Sequence, residues 1–139
     1  EACYGDLEYV DARDTGRVVR SWRAGAFGRE KFFHGWMPPH PTLFLRRRVY
    51  QRYGLFREDL GTAADYEFML RLFVKHGLTA AYIPRVLVRM RTGGVSNRSL
   101  AARWRANRND AMAWRVNGLR PRPWTLLAKP LRKVKQWWA

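Results

Sequence analysis

The stretch Gly61-Thr62-Ala63-Ala64-Asp65-Tyr66-Glu67-Phe68-Met69-Leu70-Arg71-Leu72-Phe73 constrains the chain more than any other. Phe68, Met69, Leu72 and Phe73 recur at helical spacing and share one face, which has to be buried. One turn back from Phe68 and Met69 lies Asp65. The pattern therefore predicts a helix with a carboxylate in its first turn, at the edge of the core-facing side. Two readings of that carboxylate fit. Thr62-x-x-Asp65 has the spacing of a capping box, and an acidic group suits the positive end of the helix dipole. Alternatively, Asp65 faces a cleft and takes a proton from a bound substrate, which needs a carboxylate held in one place.

The segments around this helix read as a mixed α/β chain. Residues 2–10 and 17–23 have strand character and flank Asp14-Thr15-Gly16, so they predict a hairpin. Asp6 and Glu8 alternate with Leu7 and Tyr9 and so project from one strand face, either as a solvated face or as oxygen ligands for a divalent cation. Residues 27–35 predict a short helix or an irregular linker. In Trp36-Met37-Pro38-Pro39-His40-Pro41-Thr42, three prolines within four residues stiffen the backbone and deny it ladder hydrogen bonds. His40 is thereby presented at a defined place, as a surface imidazole or a functional one. Leu43-Phe44-Leu45 predicts a short buried strand, and residues 46–53 a helix stopped by Gly54.

Beyond the central helix, Lys75-His76-Gly77 supplies a basic last turn and a glycine C-cap. Residues 80–83 and 86–90 predict strands interrupted by Pro84. Arg91-Thr92-Gly93-Gly94-Val95-Ser96-Asn97 is a glycine-hinged loop with an arginine at its root, a side chain suited to phosphate oxygens. Residues 99–117 predict a helix with Leu100, Trp104, Ala111 and Trp114 in a stripe and Gly118 past its end. Arg120-Pro121-Arg122-Pro123 is a stiff linker.

Charge and cysteine content narrow the class. The 139 residues suffice for one domain with a core, and no run approaches a membrane-spanning helix. The chain enters strand-like sequence at Ala2-Cys3-Tyr4 without an initiator Met or a leader, which predicts a piece of a longer protein. A lone Cys3 excludes an internal disulfide and a thiolate zinc cluster, and reads as a small buried residue. The net charge of +16 is uneven. Residues 97–139 carry 11 basic side chains and a single acidic one, Asp110, for a local charge of +10. An anionic surface or ligand is expected there.

Taken in order, Tyr4-Gly5-Asp6-Leu7-Glu8-Tyr9-Val10-Asp11, Met37-Pro38-Pro39-His40-Pro41-Thr42, Tyr53-Gly54-x-Phe56, Ala64-Asp65-Tyr66-Glu67 and Val88-Arg89-Met90-Arg91-x-Gly93-Gly94-x-Ser96-Asn97 form a specific set. The sequence resembles the C-terminal half of bacterial family 2 glycosyltransferases of the surface-polysaccharide type. The resemblance covers residues 4–97, so residues 1–97 are expected to form the acceptor-side part of a Rossmann-like GT-A domain. Residues 98–139 resemble the helical basic tail that follows it. It implies an inverting transfer of a sugar from a nucleotide sugar to an acceptor hydroxyl, free or lipid-linked. Asp65 would be the general base, with His40, Arg91 and Ser96 on substrate or diphosphate.

The resemblance also implies a divalent metal, Mg or Mn, whose ligands lie mostly upstream of Glu1, so no metal ligand is assigned to Asp6 or Glu8. The loop 91–97 lacks the histidine that many family members carry there, and Arg91 is expected to serve the diphosphate instead. A basic nucleic-acid-binding module is the competing class, suggested by a pI near 11.3. No zinc pattern, helix-turn-helix or RNA-recognition motif accompanies it, so no specific nucleic acid is expected. Finally, Leu127, Leu131, Val134 and Trp138 share a helical face, with Trp124 a turn earlier and Lys129, Arg132, Lys133 and Lys135 on the remaining surface. With Pro130 at the first position of the regular part, residues 124–139 are expected to lie on an anionic membrane surface. That would place the protein at the inner, cytoplasmic face of the cell membrane.

Overall fold

The computed structural model describes residues 1–93 and 100–129, the side chains of 100–107 excepted. It is a mixed α/β structure built on a four-stranded open sheet. The central strand is β1 (Ala2–Val10). Along one edge it pairs in parallel with β4 (Ala81–Arg91), from Cys3 opposite Ala81 to Val10 opposite Arg91. Its other edge is shared end to end by two antiparallel partners. β2 (Val18–Trp22) takes Leu7 to Val10, and β3 (Phe44–Leu45) takes Ala2 and Cys3. A parallel pair needs a long crossover, and everything between residues 10 and 81 supplies it.

The predicted hairpin forms. The Asp11 carboxylate accepts the Arg13 and Asp14 N–H groups, and the Asp14 carboxylate accepts that of Gly16, so the turn is closed by its own acidic side chains. The two strands expected on either side of Pro84 are instead one. Gly5 faces Ile83 and Asp6 faces Val86, which leaves Pro84 and Arg85 in a bulge where the missing proline N–H costs no ladder bond. Gly5 is required opposite that bulge, because a Cβ there would lie 2.5 Å from Leu87 Cγ and 2.8 Å from the Arg85 carbonyl. The short strand expected at residues 43–45 is reduced to two residues, and Phe44 is exposed rather than buried.

Residues 29–34 form a 3₁₀ helix closed by Gly35 at φ 73°. The predicted helix before Gly54 is α1 (Arg47–Tyr53), and Gly54 ends it at φ 82°. The organising stretch enters through a 3₁₀ segment, becomes α2 (Ala64–Met69), and continues as a π-wound segment, Leu70–Lys75. Phe68, Met69, Leu72 and Phe73 are all essentially inaccessible, as the periodicity requires. Tyr66, Leu70 and Val74 are buried too, so the helix is enclosed on most sides.

Its cover is α3 (Leu100–Val116) on one flank and an aromatic group on the other. Phe27, Phe32 and Trp36 pack edge-on to one another or to Phe73, at 5.3 to 6.1 Å between ring centres. From α3, the Trp114 indole N–H donates to the Tyr66 hydroxyl at 2.9 Å. Burial pushes the Tyr66 phenol far above its usual range. The boundary expected after residue 97 falls on residues outside the description, and Ala113, Trp114, Leu119 and Leu126 share the core of the first segment. Helical backbone resumes at residues 125–129, while Pro130 and the rest of the stretch expected to lie on a membrane fall outside the described residues. Among the described residues, no helix is long and apolar enough to cross a membrane.

Candidate active site

Two elements meet at the N-terminal end of α2. The first is the proline segment, where His40–Thr42 makes a single 3₁₀ turn with Pro41 in it. Thr42 clamps this turn to the sheet. Its fully buried hydroxyl lies 2.9 Å from the Gly5 carbonyl and 2.8 Å from that of Pro39, and it accepts the Gly5 N–H at 3.3 Å. His40 therefore stands on backbone fixed by prolines on both sides and by β1 beneath.

The second element is the start of α2. Gly61 adopts φ 52° and ψ −120°, a conformation open to glycine, and breaks the incoming 3₁₀ segment just before the helix. The capping box expected from Thr62 and Asp65 does not form. Ala63 occupies the cap position and no side chain bonds there. Instead Asp65 Oδ1 accepts the N–H of Tyr66 at 2.7 Å, satisfying one of the orphan amides of the first turn. The other oxygen, Oδ2, lies 4.0 Å from His40 Nδ1, and the Asp65 side chain keeps 33% of its surface open. One carboxylate oxygen is anchored and the other is available.

His40, Phe56, Gly61, Thr62, Ala64 and Asp65 line an open depression of about 350 Å³. Phe56 meets His40 edge-on at 6.1 Å and rests on Phe68 at 4.6 Å. Its loop is held from below by Arg71, whose guanidinium donates to the Tyr53 and Leu55 carbonyls at 2.7 and 2.8 Å. The same guanidinium makes a two-pronged pair with Glu67 at 3.0 and 2.8 Å, and Glu67 is 2% exposed. Asn117, just past α3, donates to Glu67 Oε1 at 3.2 Å and to the Ala113 carbonyl at 2.9 Å. A buried charged network thus ties the aromatic wall of the pocket to α2 and α3.

The structure brings Asp65 and His40 together. Arg91 stands at the far end of β4 opposite Val10, exposed, and is not among the residues lining the depression. Val10 is five residue steps along β1 from Gly5, the strand residue beside the His40 turn, which is about 17 Å along an extended chain. Ser96 lies outside the described residues. Asp6 is buried, not solvated, and its Oδ1 accepts the Ala24 N–H and the Tyr82 hydroxyl, both at 2.8 Å. Glu8 pairs with Arg89 at 2.9 Å. Among the described residues, no three His, Cys, Asp or Glu side chains gather as a metal site. The divalent metal expected from the resemblance therefore has no donor set among the described residues.

Phe56, Glu67, Arg71 and Asn117 received no site role from the sequence. The four-residue spacing of Glu67 and Arg71 was a usable signal for an ion pair, and Tyr53-Gly54-x-Phe56 stood within the ordered set of motifs. Nothing local marks Asn117. No protein-family model matches the chain, and neither a curated protein nor a solved structure does.

Proposed function

We propose that the chain is the acceptor-side part of an inverting glycosyltransferase of the GT-A, family 2 type, with Asp65 as general base. The observation that carries this reading is one open pocket holding a carboxylate with a free oxygen, an imidazole 4.0 Å away and an aromatic edge. A sugar presents hydroxyls on its rim and C–H groups on its faces. Phe56 offers the apolar contact and Asp65 the acceptor for a hydroxyl proton. In the proposed reaction the acceptor oxygen bonds to the anomeric carbon from one face while the bond to the diphosphate oxygen breaks on the other. The hydroxyl proton passes to Asp65 Oδ2. His40, beside that oxygen, orients the hydroxyl, and the diphosphate would be met from the nucleotide-binding half, since Arg91 stands apart from this pocket. Under this reading the enzyme works at the inner face of the cell membrane on a sugar or lipid-linked acceptor.

The test uses the full-length parent and measures nucleoside diphosphate release across a panel of nucleotide sugars, with and without acceptor extracts. Asp65→Asn should lower turnover by roughly 10² to 10⁴, the contribution typical of a general base. Its melting temperature should hardly change, because the amide oxygen can still accept the Tyr66 N–H. Unchanged turnover in the variant, or no release by the parent with any donor, defeats the reading.

A further inference from the structure

The end of α3 and the turn after it carry a second surface on which large apolar side chains stand exposed. In the helical turn 125–129 the side facing the protein carries two polar anchors beside Leu126. Thr125 is 1% exposed, and its hydroxyl donates to the Phe33 carbonyl and accepts the Arg122 N–H at 2.9 Å. Lys129 reaches inward, its ammonium 2.7 Å from Asp110 and 3.5 Å from the centre of the Tyr66 ring. The backbone of Ala128 and Lys129 lies against Gly35, where a Cβ would come within 2.4 Å of the Lys129 nitrogen. Leu126 packs on the core, but the other two large apolar residues point the other way. Trp124 is 49% exposed and Leu127 63%. A turn clamped to the body by these anchors, with an indole and an isobutyl group left in water, is shaped to meet an apolar or interfacial environment.

Beside it is a depression of about 510 Å³ lined by Ala111, Arg115, Gly118, Leu119, Arg120 and Pro121. No acidic side chain lines it. Arg48, Arg57, Arg71, Arg89 and Arg122 all pair with carboxylates, whereas Arg115 and Arg120 enter no ion pair among the described residues. After Asp110 the sequence contains no further acidic residue. The negative end of α3 does not oppose an anion strongly, because the Gly118 and Leu119 N–H groups already bond the Arg115 and Trp114 carbonyls. From Pro121 in the wall to Trp124 is three residues, at most about 11 Å.

We infer that Arg115 and Arg120 receive the phosphate groups of anionic phospholipids while Trp124 and Leu127 enter the headgroup region of the same bilayer. Charge complementarity selects the partner. Unpaired guanidiniums suit phosphate oxygens, and an exposed indole next to them suits the lipid–water boundary more than the polar groove of a nucleic acid. The surface differs from the one expected over residues 124–139 in two respects. It begins a helix earlier, and it excludes Lys129, which is engaged inside. It does not depend on glycosyl transfer.

The experiment is co-sedimentation of the full chain with vesicles of phosphatidylcholine alone and of phosphatidylcholine mixed with phosphatidylglycerol, beside a titration with duplex DNA. Arg115→Gln with Arg120→Gln should weaken binding to the mixed vesicles roughly thirtyfold, from about fivefold per basic side chain at an anionic surface. Trp124→Ala should weaken it severalfold without changing its salt dependence. Circular dichroism melts should match the parent, since these side chains are exposed. The inference is overturned if the double variant binds within twofold of the parent, or if binding ignores phosphatidylglycerol. It is equally overturned if the variants lose DNA binding while no vesicle binding exists to lose.

Discussion

Glu67 shows how much one side chain can hold. It sits at 2% exposure, gripped by Arg71 on one side and Asn117 on the other. Removing one partner of a buried ion pair strands the other charge, so Glu67→Ala should cost about 3 to 5 kcal/mol in urea denaturation. Because Arg71 also bonds the Tyr53 and Leu55 carbonyls, the variant should loosen the Phe56 loop, read as faster amide exchange at residues 54–57. Gly5 is constrained by shape instead. Gly5→Ala drives a methyl into Leu87 and the Arg85 carbonyl across the β1–β4 bulge, and should cost about 1 to 3 kcal/mol by overpacking. His76 carries a pH signature. Partial burial pushes its imidazole below the ordinary range, with Lys75, Arg71 and Arg52 adding to the effect. The folded state thus binds fewer protons than the unfolded one, and stability present above a pH of about 6.5 falls as pH drops through the lowered value. Urea midpoints measured from neutral to mildly acidic pH should decline in the parent and decline less in His76→Asn.

At the scale of elements, the segment after α3 behaves as a strap. Arg122 reaches Glu30 at 3.2 Å, Thr125 reaches Phe33, Lys129 reaches Asp110, and the backbone at 128–129 fills the space that Gly35 leaves open. Truncation after Pro123 removes Lys129 from Asp110 and uncovers the Tyr66 ring. It should lower stability by about 3 kcal/mol or more, close to the cost of breaking a buried pair. Lys129→Met, which keeps a long apolar stem, should recover part of what Lys129→Ala loses, and both are measured by thermal melts. Equal stability of the truncated and complete chains would show that the strap only rests on the body. The π-wound end of α2 is a comparable device. His76 N–H bonds the Arg71 carbonyl, five residues back, and the Arg29 guanidinium takes the Val74 carbonyl. The wider winding turns Leu70, Leu72, Phe73 and Val74 all into the core, beyond what a narrow stripe would bury.

Across the whole molecule, β1 is paired on both edges and β4 on one. The outer edge of β4 is unpaired among the described residues over an 11-residue strand, with Val86 and Met90 exposed on it. Long exposed edges pair with other chains. The isolated chain should therefore self-associate with rising concentration in sedimentation velocity, and Val86→Lys should reduce this by putting a charge on the edge. A monomer at all concentrations would mean that Arg85, Arg89 and Arg91 already protect the edge by repulsion.

Local chemistry alone determined the hairpin at Asp14-Thr15-Gly16, the stop at Gly54, the buried face of Phe68, Met69, Leu72 and Phe73, and the place of Asp65 in a first helical turn. Each depends on neighbours within one turn or one strand, where propensity, periodicity and backbone sterics act directly. That His40 and Asp65 would each be rigidly held was legible too, because prolines fix the one and a helix start fixes the other. Their meeting, and the separation of Arg91 from them, were not. Tertiary structure decided the rest. Pro84 makes a bulge because β1 holds the strand on either side of it, Asp6 is buried because Ala24 and Tyr82 reach it, and Lys129 turns inward because Asp110 and Tyr66 await it. Those outcomes turn on partners 18 to 80 positions away in the chain, and a contact at that separation leaves no periodic trace in the residues that make it.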